Sequence, residues 1–438
     1  MANVKPFRGI RYSDSHLSEL GSVTTPPYDV ISGSEQAAYY ERHPHNMIRL
    51  ILARKHDGDS DTDNPHTRAA DDFTRWLEDG ILVQDASPAY YLTAVDFTHL
   101  GRTVTRFGLI AKVELEPFEK GIILPHEETY SGIKTERLGL MKACHANLSP
   151  IFSLFHDTHD IMAKMKNGVA AATPAATFRD SAGDRHRFWL IKDDRLISQI
   201  ENAFADERLY IADGHHRYET ALAYREWAAG RTPGFHPEHP SNYIMMYLAS
   251  MQDPGMVILP AHRLVSGLSQ ATLNRFLDRA ETLFRLEPMR LEAFPDGGIE
   301  RILSKDADKE IRIGVVTRRQ RVLMRAPIEE IAGQLSEKLP APLATLDVSV
   351  LTHLVFGSYL GILPEHMDDV DRIRYTSSST SALTAVSEGQ VDAAFLLNPT
   401  RIGQVQRIAE EGLIMPRKTT YFSPKVLTGC VINSLRPD

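Results

Sequence analysis

No run of apolar residues in this 438-residue chain reaches the length needed to cross a bilayer. Its first residues, Met1 to Phe7, carry no hydrophobic signal core, so a cytoplasmic protein is expected. Cysteine is nearly missing. Cys144 and Cys430 offer neither a disulfide framework nor a metal-ligand spacing, and their apolar surroundings make them packing residues. A basic excess is missing too. The formal net charge of -8 argues against a nucleic-acid surface, because neutralising phosphates needs a basic footprint. The chain has no GxGxxG dinucleotide box where one is needed, no Walker A loop, no HExxH pair, no heptads and no internal repeat. What remains is an ordinary globular balance, 42% hydrophobic and 24% charged, on a chain long enough for more than one core.

The stretch from Leu209 to Leu222 is the densest in chemistry. Leu209, Tyr210 and Ile211 end a strand, Asp213-Gly214 makes a tight turn, and a helix follows with Tyr218, Ala221, Leu222 and Trp227 at helical spacing and a stop at Gly230. Gly214 can adopt a positive φ and let a ligand approach the backbone. The first helical turn leaves free N–H groups and a partial positive charge, a seat for an anion. His215, His216 and Arg217 add side-chain donors there, and Arg217 can grip two phosphate oxygens at once. The bland alternative is a helix capped by Asp213 with ordinary surface histidines.

Four other segments join rigid backbone to polar density. Pro26-Pro27-Tyr28-Asp29 fixes an extended turn that presents Tyr28 and Asp29. The loop His126-Glu127-Glu128-Thr129-Tyr130 holds acids, bases and metal-ligand types in five positions. His262-Arg263 ends a strand, and Arg417-Lys418 with Lys425 forms a basic run between prolines. Each has a structural reading as well: a turn, a solvated loop, a satisfied core histidine, a solvated face. These segments are expected to converge on one cleft.

Along the chain, residues 45–52 read as a strand with Arg49 inside it, facing solvent or a buried anion. Residues 69–82 read as an amphipathic helix with Phe73, Trp76 and Leu77 on one face. Residues 89–97 and 103–115 read as a hairpin, 147–155 and 242–249 as buried strands, and 273–284 as an amphipathic helix. The fold class expected is α/β or α+β with a mixed central sheet and a smaller C-terminal α+β domain. Three parts are expected: 1–265 as the ligand-binding or catalytic domain, 266–370 as a packing or dimerisation domain, and 371–438 as a segment returning to the main cleft.

The box Ala212-Asp213-Gly214-His215-His216-Arg217-Tyr218-Glu219-Thr220-Ala221-Leu222, with Pro26-Pro27-Tyr28-Asp29-Val30, Asn147 to Phe152 and Met415 to Phe422, resembles a bacterial and archaeal family of unknown function. That family looks like a branch of the ParB/sulfiredoxin superfamily. Sulfiredoxins carry a Gly-Cys-His-Arg phosphate turn, matched by Gly214, His215, His216 and Arg217. His215 replaces the reactive cysteine, so sulfinic acid repair is not expected. Free serine kinases carry a similar Asp-Gly-His-x-Arg turn. The resemblance implies a ParB/sulfiredoxin-like core and an ATP- and Mg²⁺-dependent kinase that phosphorylates a small alcohol, free L-serine first, to O-phosphoserine. Phosphate binding is then expected at Gly214, His215, His216, Arg217, His262, Arg263 and Lys418. Asp213, His216, Asp29, Glu127 and Glu128 are the candidate catalytic groups. Asp213 is the Mg²⁺ partner, and Tyr28, His126, Thr129 and Tyr130 contact the acceptor. Two other classes compete: a nucleotide-switched ParB-like regulatory module and a metal-dependent hydrolase using the histidines. Nucleic-acid and membrane partners are not expected.

Overall fold

The structure is a computed structural model that describes residues 1–129, 131–289, 298–363, 366–367 and 369–437. The chain divides into two compact units. The first comprises residues 1–125, 129–256 and 424–438, and the second residues 126–128 and 257–423. No described helix is long and apolar enough to cross a membrane.

In the first unit nine described strands form one large sheet. Its order is Ile123–Leu124, Leu209–Asp213, Ile151–Phe155, Tyr243–Ser250, Arg102–Glu114, Tyr90–His99, Arg185–Ile191 and Ala176–Arg179, with Val4–Lys5 on Arg102–Glu114. Leu209–Asp213 runs parallel to Ile123–Leu124, and Tyr243–Ser250 parallel to Ile151–Phe155; the other pairs are antiparallel. The mixed central sheet is therefore as expected. Every residue of Ile151–Phe155 and of Tyr243–Ser250 is buried, which is why both read as mostly apolar runs instead of alternating ones. Tyr218, Ala221 and Tyr224 of the helix His215–Ala229 enter the same core as Ile151, Leu209 and Ile211. Burial of that many large side chains, at roughly 25 cal/mol per Å² of apolar surface, holds the helix start in a fixed position.

Residues 48–51 correct the sequence reading. Ile48–Ile51 is a single helical turn, not a strand. Asn46 Oδ1 accepts from the Ile48 N–H at 2.9 Å and starts the turn. Met47, Ile48, Leu50 and Ile51 are all buried, so a short, wholly buried turn gave the same apolar run as a strand. Arg49 lies over the Tyr40 ring, 4.4 Å from its centroid, and donates to the Tyr40 carbonyl at 3.1 Å.

The second unit is built on a six-stranded antiparallel sheet, ordered Arg285–Pro288, Arg321–Pro327, Glu310–Thr317, Ala393–Leu396, His262–Val265 and Ile373–Thr376. Three of its strands, His262–Val265, Ile373–Thr376 and Ala393–Leu396, come from segments that the sequence reading assigned outside 266–370. Ser269 caps the helix Gln270–Ala280, accepting from the Thr272 N–H at 3.1 Å. That helix buries Leu273, Phe276, Leu277 and Ala280, with Phe276 5.9 Å from Phe395 of the sheet. Of the chain after residue 370, only residues 424–438 belong to the first unit.

Candidate functional site

In the first unit the sheet delivers Asp213 at the end of Leu209–Asp213, an interior strand. Its register against Ile151–Phe155 shifts between Ile211 and Asp213, a local irregularity of the kind that re-aims side chains at strand ends. Gly214 follows at φ 100° and is the N-cap residue of His215–Ala229, with no side-chain cap. Two facts require glycine here. The backbone is left-handed, and a Cβ would stand 2.9 Å from the Arg217 guanidinium carbon.

Arg217 folds back over that turn. Its Nη2 donates to Asp213 Oδ2 at 2.5 Å, and its Nη1 donates to the Pro150 carbonyl. Lys425 Nζ reaches the other carboxylate oxygen, Asp213 Oδ1, at 2.6 Å. The three side chains are only 10–14% exposed. Burial alone would raise the Asp213 carboxyl, but the Lys425 and Arg217 charges outweigh it and hold the group far below the usual carboxylate range. Asp213 was expected to be a proton acceptor or Mg²⁺ ligand. In the structure both of its oxygens face cations, an arrangement that suits a carboxylate holding Arg217 in place. Asp213 and the Pro150 carbonyl each take one N–H of the Arg217 fork, which carries five in all.

A cavity of about 60 Å³ opens beside this turn, lined by Arg217, Arg137, Tyr28, Asn147, Ser149 and Thr220 on its polar side. Its apolar side includes Leu140, Met141 and Ile244. The volume is several times the ~10–15 Å³ that one water requires. Arg137, 9% exposed, stacks over the Tyr28 ring at 4.1 Å and donates to the Ile51 carbonyl at 2.7 Å. Its partner is the adjacent Glu136. Burial pushes the Glu136 carboxyl up, yet hydrogen bonds from His66 and Arg137 and the Arg137 charge bring it down to about 2. No carboxylate is among the residues lining the cavity, whose polar side carries the two guanidiniums, hydroxyls and an amide.

The expected site residues fall in both units. Tyr28 and Arg217 share the cavity of the first unit. Asp29 is exposed next to Tyr28, and its charge adds to the burial that raises the Tyr28 phenol. His215 is buried and His216 half-buried, the His216 carbonyl accepting from Thr220 Oγ1 at 2.7 Å. Thr129 Oγ1 donates to Glu219 Oε2 at 2.7 Å, tying its loop to the helix, and Tyr130 lies outside the described residues.

In the second unit His126 is fully buried, its Nε2 3.3 Å from Thr420 Oγ1 and its carbonyl accepting from the Met415 N–H at 2.9 Å. Glu127 accepts from Thr420 Oγ1 at 3.4 Å, while Glu128 is exposed. His262 is a core residue of its strand. Its Nδ1 accepts from the Leu397 N–H at 3.1 Å, and burial pulls its pKa down to about 4. Arg263 donates to the Lys418 carbonyl at 3.2 Å, while the Lys418 side chain is exposed. Among the described residues no three His, Cys, Asp or Glu side chains are grouped to hold a metal ion.

Two participants escaped the sequence reading. Lys425 stood in the basic run near the C-terminus, but nothing in the sequence tied it to Asp213, 212 positions away. Arg137 was not singled out in the sequence, and only the fold stacks it on Tyr28.

The site thus belongs to a mixed α/β fold, in a cavity lined by two arginines beside a glycine turn that opens a helix. The chain belongs to the family described as Protein of unknown function (DUF1015), whose model matches residues 4–349. No curated protein matches it. Among solved structures it is similar to a conserved hypothetical protein from Pyrococcus furiosus, 11% identical, covering 74% of this chain and 95% of that one at a TM-score of 0.36. It is also similar to a free serine kinase in complex with AMP, 11% identical, covering 72% and 86% at a TM-score of 0.37. A third is SbnI with C-terminal truncation from Staphylococcus aureus, 10% identical, covering 74% and 86% at a TM-score of 0.35.

Proposed function

We propose that this protein is an ATP-dependent phosphotransferase with a small hydroxyl acceptor, free L-serine first among the candidates. The observation that carries the proposal is the cavity that both Arg217 and Arg137 line, beside the glycine turn that opens His215–Ala229. Two fixed cations and a helix N-terminus suit the charge that develops in phosphoryl transfer, where positioning and electrostatics supply most of the catalysis. The similarity of Gly214, His215, His216 and Arg217 to the sulfiredoxin phosphate turn, and of the Asp-Gly-His-x-Arg pattern to free serine kinases, supports the same reading and a ParB/sulfiredoxin-like core.

In this reading Arg217 and Arg137 hold nucleotide phosphates, and the Gly214 and His215 backbone approaches them. Asp213 and Lys425 position Arg217. Asp29, exposed beside Tyr28, orients the acceptor hydroxyl. Mg²⁺ ordinarily neutralises charge on the transferring phosphates, but Asp213 does not fit as its ligand while Lys425 and Arg217 occupy its oxygens. The γ-phosphoryl group passes from ATP to the serine hydroxyl oxygen, giving ADP and O-phosphoserine, and the hydroxyl proton leaves toward a carboxylate. The test incubates the full chain with ATP, Mg²⁺ and L-serine and follows ³¹P NMR. A phosphomonoester signal that is lost in Arg217→Gln supports the reading. No transfer from ATP or ADP to serine or to any of a panel of small alcohols rejects it.

A further inference from the structure

The second unit holds a pocket of about 300 Å³ lined wholly by its own residues. One of them is Arg263, only 3% exposed, fixed in the strand His262–Val265. Its guanidinium donates to the carbonyls of Ala261, Lys418 and Arg417 and lies 5.1 Å from the centroid of the Tyr375 ring. All of these partners are uncharged groups. Among the described residues no carboxylate pairs with Arg263, and burial pulls its pKa down to about 10. A buried cation without a counter-charge is costly to keep, and here it borders open space.

The same pocket reaches the start of Ile402–Glu410, a nine-residue helix whose first N–H groups have no intrahelical acceptors. It also reaches Asp347, which accepts from Asn398 Nδ2 at 3.0 Å. Burial pushes the Asp347 carboxyl up to about 6 against the hydrogen bonds from Asn398 and the nearby Arg401 charge. The pocket therefore offers a buried guanidinium that no carboxylate pairs with and the Asp347 carboxylate, held by Asn398 with the Arg401 charge nearby; Asp308 is also in its wall.

We propose that this pocket binds a small metabolite bearing one carboxylate together with a hydroxyl or ammonium group. The carboxylate sits on Arg263 and the first turn of Ile402–Glu410, and the donor sits on Asp347. A planar carboxylate matches the guanidinium fork. A phosphate, with its second charge, meets Asp347 unfavourably, which selects carboxylates over phosphates. The inference stands on the second unit alone and holds whether or not the first unit is a kinase.

The test is calorimetric titration of the full chain with paired probes: propionate, L-lactate and L-alanine; succinate and L-malate; and inorganic phosphate. The donor-bearing member of at least one pair is expected to bind at least tenfold tighter than its plain analogue, and phosphate more weakly than either. Arg263→Gln removes that binding. Asp347→Asn, at a half-buried position, keeps the fold and cuts the preference for the donor-bearing member to less than threefold. Arg217→Gln, in the first unit, leaves the isotherm unchanged. The proposal is overturned if no carboxylate binds, if phosphate binds best, if Asp347→Asn leaves the preference intact, or if Arg217→Gln and not Arg263→Gln abolishes binding. Should Arg263→Gln fail to fold by circular dichroism, the Asp347→Asn and Arg217→Gln results decide.

Discussion

Replacing Asp213 by asparagine removes the charge that Lys425 and Arg217 share, and the cost can be worked from the geometry. The two ion pairs measure 2.6 and 2.5 Å, and the three side chains are 10–14% exposed. Taking one partner from a buried pair costs about 3–5 kcal/mol, because the charge left behind is neither solvated nor paired. Residual exposure places Asp213→Asn at the low end, about 3 kcal/mol, a large share of the roughly 5–15 kcal/mol that holds a domain folded. With a urea slope of about 3 kcal/mol per M, the transition reporting on the first unit moves down by about 1 M at pH 7. The pH dependence has a definite sign. The folded-state pKa of Asp213 lies below its unfolded value, so the carboxylate's contribution is present in full above about pH 4 and is lost as pH falls through the folded value. The gap between wild type and variant should therefore be widest at neutral pH and narrow below pH 4. Arg217 loses its anchor in the variant, so ATP affinity falls along with stability. Equal urea midpoints at pH 7, with ATP affinity unchanged and turnover abolished, would refute the positioning role and return Asp213 to the chemistry.

Three further outcomes follow from the same geometry. Gly214→Ala forces a Cβ onto a residue at φ 100° and within 2.9 Å of the Arg217 guanidinium; it should cost roughly 1–3 kcal/mol in thermal denaturation and weaken ATP binding, and an unchanged melting curve would contradict the turn described here. His262 is 1% exposed, with its pKa pulled down to about 4. The unfolded imidazole takes up a proton near pH 6.5 while the folded one does not, so stability is full above pH 6.5 and declines as pH falls to about 4, by roughly 3 kcal/mol in total. Urea midpoints of wild type and His262→Gln at pH 7 and 4.5 should differ in slope, and parallel pH dependences would remove His262 from the account. Burial pushes both thiols, Cys144 and Cys430, up to about 12; a thiol reagent at pH 8 should find neither in the native protein and both after unfolding, and rapid native labelling would contradict their inertness.

The strands and helices that were legible in the sequence are those with a single long period. The amphipathic helix Gln270–Ala280 and the buried strand Tyr243–Ser250 are examples, because burial of one face or of both writes itself directly into residue order. The glycine turn at Asp213-Gly214 was legible for a local reason, its dipeptide and the three polar residues after it. The turn Ile48–Ile51 was not, since a short apolar run with three of its four residues buried looks the same in a strand and in a buried helical turn. Partnerships were the least visible. Arg217 was read as a phosphate ligand, and its pairing with Asp213 lies within one helical turn, yet the Lys425 contact that completes the bridge depends on the chain's last fifteen residues returning to the first unit. Likewise the Arg137–Tyr28 stack joins two segments that share no pattern. Local chemistry is written in sequence, whereas the counter-charge that decides a carboxylate's role arrives from elsewhere in the fold.

The central claim is that Arg217 and Arg137 seat nucleotide phosphates in the cavity of the first unit. Its most direct test is calorimetric titration of ATP into wild type, Arg217→Gln and Arg137→Gln, each checked for native circular dichroism. The account predicts a saturable one-to-one isotherm for wild type. Each variant should bind roughly 10–100-fold more weakly, the loss expected for a charge-assisted contact of about 1.5–3 kcal/mol. No saturable ATP binding by wild type, or undiminished affinity in both folded variants, would contradict it.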